Sequence, residues 1–431
     1  MSKQRMGLAI GASMIGMIIE VYDFLVYGYV AGIIGNLLFP PTANPLTSLL
    51  LALLVFRVGF FFRPLGGFIF GHIGDKFGRK SAFIITLLLM GIASLGMGLL
   101  PTYVEVGILA TILLVLFRIL QGISVGGEAG TAIVFIQEHS PPERRAFYTS
   151  FVNSGWAIGP FLAVLTLYIN TVILGPAAVK AWGWRVPFFI GVGLAVIGII
   201  MRLFVLETPI FTQIKSRGEV VKNPIVISFR KVWKQMLIVF VLYGVQGIVY
   251  YTASITTFTT LWLTVSNIPL ATTAIAFAIM NLVGMVAMWI AGYAMDKYGR
   301  RPFIRWGYLF FAISIIPLYS LFFVTKNVFI LAVATALPLL TSLITYMSIA
   351  ISLAEWIPSN VRVAGYSIPN QLGVGFLGGF TPFITALILA ITGSILWAIS
   401  YVSIAALIAS LIGLLLYPET KGIDITKTLK I

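Results

Sequence analysis

Cysteine is absent from this 431-residue chain, which removes disulfide frameworks, thiolate metal sites and a cysteine nucleophile from consideration. Acids are scarce: 13 Asp and Glu stand against 28 Lys and Arg, and His72 and His139 are the two histidines. No acid lies between Glu219 and Asp296, or between Asp296 and Glu355. Charged residues make up 10% of the chain and hydrophobic ones 59%, which is too little polar surface for a soluble globule of this length. There is no Walker loop, metal-ligand cluster or catalytic triad, so neither an enzyme nor a cofactor is expected. The net charge of +15 would suit nucleic acid if the bases lined one face of a soluble domain. They are instead parcelled into short segments between apolar runs, and no nucleic-acid partner is expected.

What the chain does have is apolar runs near or above the roughly 20 residues that cross a bilayer. They fall near 8–37, 47–71, 81–100, 106–137, 146–174, 184–206, 234–263, 270–294, 302–323, 328–354, 363–391 and 394–417. The first run carries Glu20 and Asp23 and is too long for a signal peptide. The pattern predicts an all-α integral membrane protein of 12 transmembrane helices in two pseudo-symmetric six-helix bundles. The N-terminal bundle takes 1–206, a cytoplasmic linker 207–233, and the C-terminal bundle with a short cytoplasmic tail 234–431.

Three motifs recur in order at nearly one offset, the mark of a duplicated bundle. Gly71, Asp75, Lys76, Phe77, Gly78, Arg79 and Lys80 return 221 residues later as Gly292, Asp296, Lys297, Tyr298, Gly299, Arg300 and Arg301. Glu138, Pro141 and Arg145 return as Glu355, Pro358 and Arg362, and Glu207-Thr208 returns as Glu419-Thr420. With the N-terminus inside, 21 bases fall in cytoplasmic segments, while the outer segments hold Lys180, Arg185 and Lys326. That asymmetry puts both termini in the cytoplasm.

The doubled G-x-x-x-D-K-x-G-R loop after the second and eighth runs resembles the hallmark of the major facilitator superfamily. Glu20-Val21-Tyr22-Asp23-Phe24, Arg63-Pro64-Leu65-Gly66-Gly67, Arg118-Ile119-Leu120-Gln121-Gly122 with Gly126-Gly127-Glu128, Trp184-Arg185-Val186-Pro187 and Glu207-Thr208-Pro209 narrow it. Together they resemble the metabolite:proton symporters, carriers of organic acids, shikimate-type compounds, proline and betaine. Two departures stand out: Val21 replaces a usual tryptophan, and Arg57 replaces a usual alanine. The ending Tyr417-Pro418-Glu419-Thr420-Lys421-Gly422 resembles that of sugar porters.

Ionisable side chains at membrane depth are costly and mark function by default. Glu20, Asp23 and Tyr27 share a face of the first span, as Arg118, Gly122 and Gly126 share a face of the fourth. A carboxylate facing an arginine can exchange that partner for a proton as a cavity opens. The resemblance implies that Arg118 belongs to a proton-linked motif, with Asp23 as its counter-charge. Proton-coupling candidates are therefore Asp23, Arg118, Glu20 and Glu128; the alternatives are a fixed Asp23–Arg118 pair and a hydrogen-bonded structural Glu128. Arg202 is expected to snorkel. Arg57 could grip an anionic substrate or reach outer headgroups, and Arg63 could do the same or satisfy carbonyls freed by Pro64. With the second half short of acids, substrate contacts there fall to Tyr243, Gln246 and Tyr250 on one face, with Tyr346 and Asn370, beside Tyr27 in the first half. A cytoplasmic gate is expected from Gly71, Asp75, Gly78, Arg79, Asp296 and Arg300 with Glu138, Arg145, Glu355 and Arg362.

The expected activity is import of a small polar metabolite by proton symport and alternating access, through a monomer in the lipid bilayer of the plasma membrane. A carboxylate is the first substrate expected, because Arg57, Arg63 and Arg118 outnumber the acids on their helices. A sugar or a zwitterionic osmolyte is the alternative, as are export and, least of all, a non-transporting sensor.

Overall fold

The computed structural model describes residues 3–40, 45–254, 257, 266, 268 and 270–429. Every regular element among them is helical. Eleven of these helices are long and apolar enough to cross a membrane. In chain order the spanning elements are α1 (Lys3–Leu38), α2 (Pro45–Lys76), α3 (Arg79–Gly98), α4 (Ile108–His139), α5 (Arg145–Asn153 continued by Gly155–Ala181) and α6 (Val186–Phe204). The second set is α7 (Trp233–Tyr251), α8 (Leu270–Tyr298), α9 (Arg301–Thr325), α10 (Val328–Trp356), α11 (Arg362–Leu372 and Thr381–Thr392) and α12 (Ile395–Leu415), of which α11, broken in two, is the one not counted among the eleven. Part of the expected seventh run, 234–263, lies outside the described residues.

The eleventh run is where the apolar pattern and the helix diverge. Gly373, Gly375, Gly378 and Gly379 interrupt it, and Gly373–Gly378 winds into a wider π-helical turn. Glycines there admit a close neighbour: Gly373 sits under the backbone of Phe240 and Gly244 on α7. Such breaks survive in lipid because a packed helix re-covers the exposed peptide groups.

α2 and α4 make the most extensive helix pair, and the seam between bundles is built twice, by α2 against α11 and by α5 against α8. Small residues allow this closeness, since lipid offers no hydrophobic drive to pull helices together. A Cβ on Gly122 would stand 2.2 Å from the carbonyl oxygen of Gly59. Gly122→Val is therefore expected to destabilise the fold by about 1–3 kcal/mol, read as a lower thermal midpoint in detergent. An unchanged midpoint would mean that the α2–α4 contact can widen freely.

Between the bundles run two short helices, Pro209–Ser216 and Pro224–Lys231. Thr208 caps the first, its Oγ1 accepting the N–H of Phe211 at 3.2 Å.

Candidate functional site

The three sequence repeats meet at one end of the molecule, here called the motif end. The aspartates of the doubled loop do not simply pair with the bases beside them. Asp75 receives the backbone N–H groups of Val363 (3.1 Å) and Ala364 (2.8 Å) at the start of α11. Asp296 receives those of Ala146 and Phe147, both at 2.9 Å, at the start of α5. Each carboxylate thus crosses to the opposite bundle and sits on a helix N-terminus, where unpaired N–H groups and the helix dipole favour an anion. Gly71 lets α11 come close, since a Cβ there would stand 2.8 Å from Ala364 Cα.

The bases and the E-x-x-P-x-x-x-R acids complete the belt. Arg79 reaches Glu138 at 3.2 Å and also donates to Ser359 O across the seam, while Arg300 reaches Glu355 at 3.0 Å. Two further pairs cross: Arg362 with Glu138 at 2.8 Å and Arg145 with Glu355 at 3.4 Å. Thr208 and Thr420 each donate a hydroxyl, at 2.6 Å, to Glu138 and Glu355 respectively. All ten residues expected at a gate are therefore brought together, and the E-T pairs join them.

The glycines of the loop explain the third repeat. Gly78 (φ 110°) and Gly299 (φ 93°) adopt the left-handed region that favours glycine. A Cβ at Gly78 would stand 2.2 Å from Glu207 Oε2, and one at Gly299 2.4 Å from Glu419 Oε2. The glutamates use that space to accept the N–H groups of Lys80 and of Arg300 and Arg301. Burial holds the Glu207 carboxyl above its usual range, against the pull of the Thr208 and Lys80 N–H donors.

Above the belt lies a cavity of about 310 Å³, within the size range of small-molecule sites. Its wall is largely aromatic, with Phe24, Phe56, Phe60, Trp156, Tyr250 and Tyr251 prominent. Glu20 and Arg63 bring one carboxylate and one guanidinium to it, 3.8 Å apart. Gln371 holds Arg63 through a 2.9 Å hydrogen bond, while both Glu20 oxygens lack a hydrogen-bond partner. A smaller chamber of about 20 Å³ adjoins it, sharing Arg63, Trp156, Tyr250 and Tyr251 and adding Gln246, Tyr346 and Asn370. Gln246 is held by Ser342 at 2.8 Å, leaving its amide oxygen unpartnered.

Other candidates lie elsewhere. Arg57 does not line either of these cavities. Tyr27 is turned away, its hydroxyl bonded to Ala52 O at 2.9 Å, and Tyr243 bonds Tyr366 inside the second bundle. Asp23 and Arg118 make no direct ion pair. Asp23 accepts the hydroxyl of Ser94, whereas Arg118 donates to Gln121 and to Phe56 O and lies 4.3 Å from the Tyr27 ring centre. Aromatic faces, an amide and a carbonyl thus meet the guanidinium in place of a carboxylate, and its Nε has no hydrogen-bond partner. Glu128 is paired, and its partner is the Arg202 expected to snorkel. Arg202 is fully buried, pairs with Glu128 and stacks 3.5 Å over Phe83, while Thr86 donates to the same carboxylate. A base near a span's end snorkels only if no buried acid faces it, and Glu128 does.

Against known proteins, residues 8–225 match the model of the family described as sugar (and other) transporter. A glycine betaine/proline/ectoine/pipecolic acid transporter of Dickeya dadantii is 31% identical over 421 residues, covering 95% of this chain and 83% of that one. A proline/betaine transporter of Escherichia coli is 31% identical, covering 94% and 82%. An inner membrane metabolite transport protein of the same bacterium is 32% identical, covering 95% and 93%. Among solved structures, the proton:xylose symporter of the major facilitator superfamily bound to 6-bromo-6-deoxy-D-glucose superposes with TM-score 0.81 at 17% identity, covering 99% of each chain. A partially occluded inward-open form of the E. coli xylose transporter gives TM-score 0.72 at 19% identity, covering 99% and 100%.

Proposed function

Because the chain belongs to the sugar (and other) transporter family of the major facilitator superfamily, we propose that it imports a small zwitterionic osmolyte with protons. The observation that carries this reading is the cavity's charge inventory: one acid, Glu20, and one base, Arg63, in an aromatic wall. A zwitterion presents one charge to each. Its carboxylate meets Arg63, and its ammonium meets Glu20 and the ring faces, which attract quaternary ammonium groups. A plain carboxylate would set its charge against Glu20, and a sugar brings no charge to either Glu20 or Arg63. The named substrates of the relatives, proline and betaine, support this alternative over the carboxylate first expected.

Coupling is assigned to Asp23, with Arg118 and Gln121 as the group that responds to its charge, and Glu20 as the second candidate. The belt at the motif end is the inner gate, at the cytoplasmic face. Two bundles joined there and apart around a midplane cavity are the arrangement that alternating access requires.

Binding can be read by tryptophan fluorescence, since Trp156 lines both chambers. Glycine betaine and proline are expected to saturate the signal, and acetate and glucose to leave it unchanged. Arg63→Gln should weaken the zwitterion by about 2 kcal/mol or more, roughly thirtyfold, whereas Arg57→Gln should leave it as it is. Saturation by acetate, or equal losses in the two variants, would overturn the zwitterion reading.

A further inference from the structure

The second linker helix, Pro224–Lys231, buries Pro224 and Ser228 against the bundles and turns the opposite side outward. It packs on α2, on the start of α11, on α7 and on the turn Ser359–Val361. Its exposed side carries apolar residues. Val226 is 46% exposed, Phe229 47% and Trp233, which follows at the start of α7, 51%. Arg230, Lys231 and Lys234 are exposed beside them. No carboxylate among the described residues lies within salt-bridge distance of these three bases. The sequence offers none nearby either, since no acid occurs between Glu219 and Asp296.

The depth of this helix follows from one ring contact. Phe229 stacks on Phe68 of α2, with ring centres 6.3 Å apart and planes at 15°. Phe68 precedes the end of α2 at Lys76 by eight residues, or about 12 Å along a helix. Phe229 is therefore held on the membrane side of the end of a spanning helix. Lys234 lies 5.8 Å from the ring centre of Trp233, so base and ring occupy the same zone. An aromatic stripe inside the acyl boundary with bases at headgroup height is the chemistry of an interfacial helix that attracts anionic lipid.

We propose that Pro224–Lys231 with Trp233 and Lys234 is a docking surface for anionic phospholipid. Arg230, Lys231 and Lys234 bind the phosphodiester headgroup, and Val226, Phe229 and Trp233 enter the acyl region. The three bases act as a set, so occupancy depends on their charge and not on the rest of the linker. The inference holds whichever solute the central cavity carries.

Lipid retained by the full chain can be counted by mass spectrometry after reconstitution into phosphatidylcholine vesicles with or without phosphatidylglycerol. The parent should retain phosphatidylglycerol in preference. R230Q/K231Q/K234Q should lose at least about tenfold of that retention. K215Q/R217Q/K222Q, which removes as much charge from the same linker, should keep it, and R230K/K231R/K234R should also keep it. Phe229→Ser should weaken it with all charges present. Equal losses in the two glutamine triples would overturn the proposal in favour of diffuse attraction. Displacement of the lipid by inorganic phosphate at matched ionic strength would overturn it in favour of a soluble anion. Should the glutamine triple fail to fold, hydrogen exchange on the parent decides: phosphatidylglycerol must protect residues 224–234, and protection by phosphatidylcholine alike would sink the idea.

Discussion

Asp23→Asn is expected to abolish accumulation of substrate against its gradient while counterflow exchange continues. Asp23 is fully buried and off the cavity wall, held by Ser94 and approached so closely by α6 that a Cβ on Gly191 would stand 2.2 Å from its Oδ1. Substitution by an amide keeps the volume and removes the ionisable group. The proposed substrate contacts, Glu20 and Arg63, are untouched, so binding and exchange are expected to survive. A carboxylate with an arginine close by, screened by Gln121 and aromatic rings, can trade a proton for that cation when helices shift. Steady-state uptake and counterflow in the same vesicles separate the two steps. Uphill uptake by Asp23→Asn at the parent level would transfer coupling to Glu20.

Glu138→Gln should produce the largest conformational effect. Glu138 holds Arg79 at 3.2 Å and Arg362 at 2.8 Å, all three buried, so the amide leaves Arg362 without its anion and Arg79 with Asp75 alone, 3.5 Å away. Breaking buried pairs costs about 3–5 kcal/mol. Opening the motif end gives both bases access to water, so the penalty falls on the closed form. A shift of that size moves a two-state equilibrium by two orders of magnitude or more. With no native cysteine, one introduced by Ser367→Cys gives a direct reading, since Ser367 is enclosed in the seam against Gly67 and Gly130. Thiol labelling there should rise at least about tenfold in the Glu138→Gln background. Unchanged labelling would mean that the belt does not hold the seam shut.

The duplicated architecture was legible because the repeats are local strings whose roles need no knowledge of packing. That the first two repeats would form a gate followed from acids and bases set side by side at helix ends, together with the family resemblance. Why Glu207-Thr208 and Glu419-Thr420 belong to it was not legible. Their contacts run through the space that Gly78 and Gly299 leave, which exists only once the loop has its left-handed turn. Side-chain facing in the core was less readable still. The spacing of Glu20, Asp23 and Tyr27 assigns them one face of α1, but a helix apolar all round carries no stripe to say which neighbour that face meets. Glu20 consequently reached the cavity, Asp23 met α3 and α6, and Tyr27 went beneath Arg118. The pairing of Arg202 with Glu128 had one available signal: an acid buried among Gly127, Ala129 and Gly130 needs a cation, and few intramembrane bases were free to supply it.

Proton-driven uptake of a zwitterion can be measured in proteoliposomes given labelled glycine betaine and an imposed pH gradient, acidic outside. Betaine should rise inside above its external concentration and fall back to equilibrium when a protonophore dissipates the gradient. Uptake that stops at equilibrium with the gradient intact, or uphill accumulation of a plain carboxylate while betaine stays at equilibrium, would contradict the account.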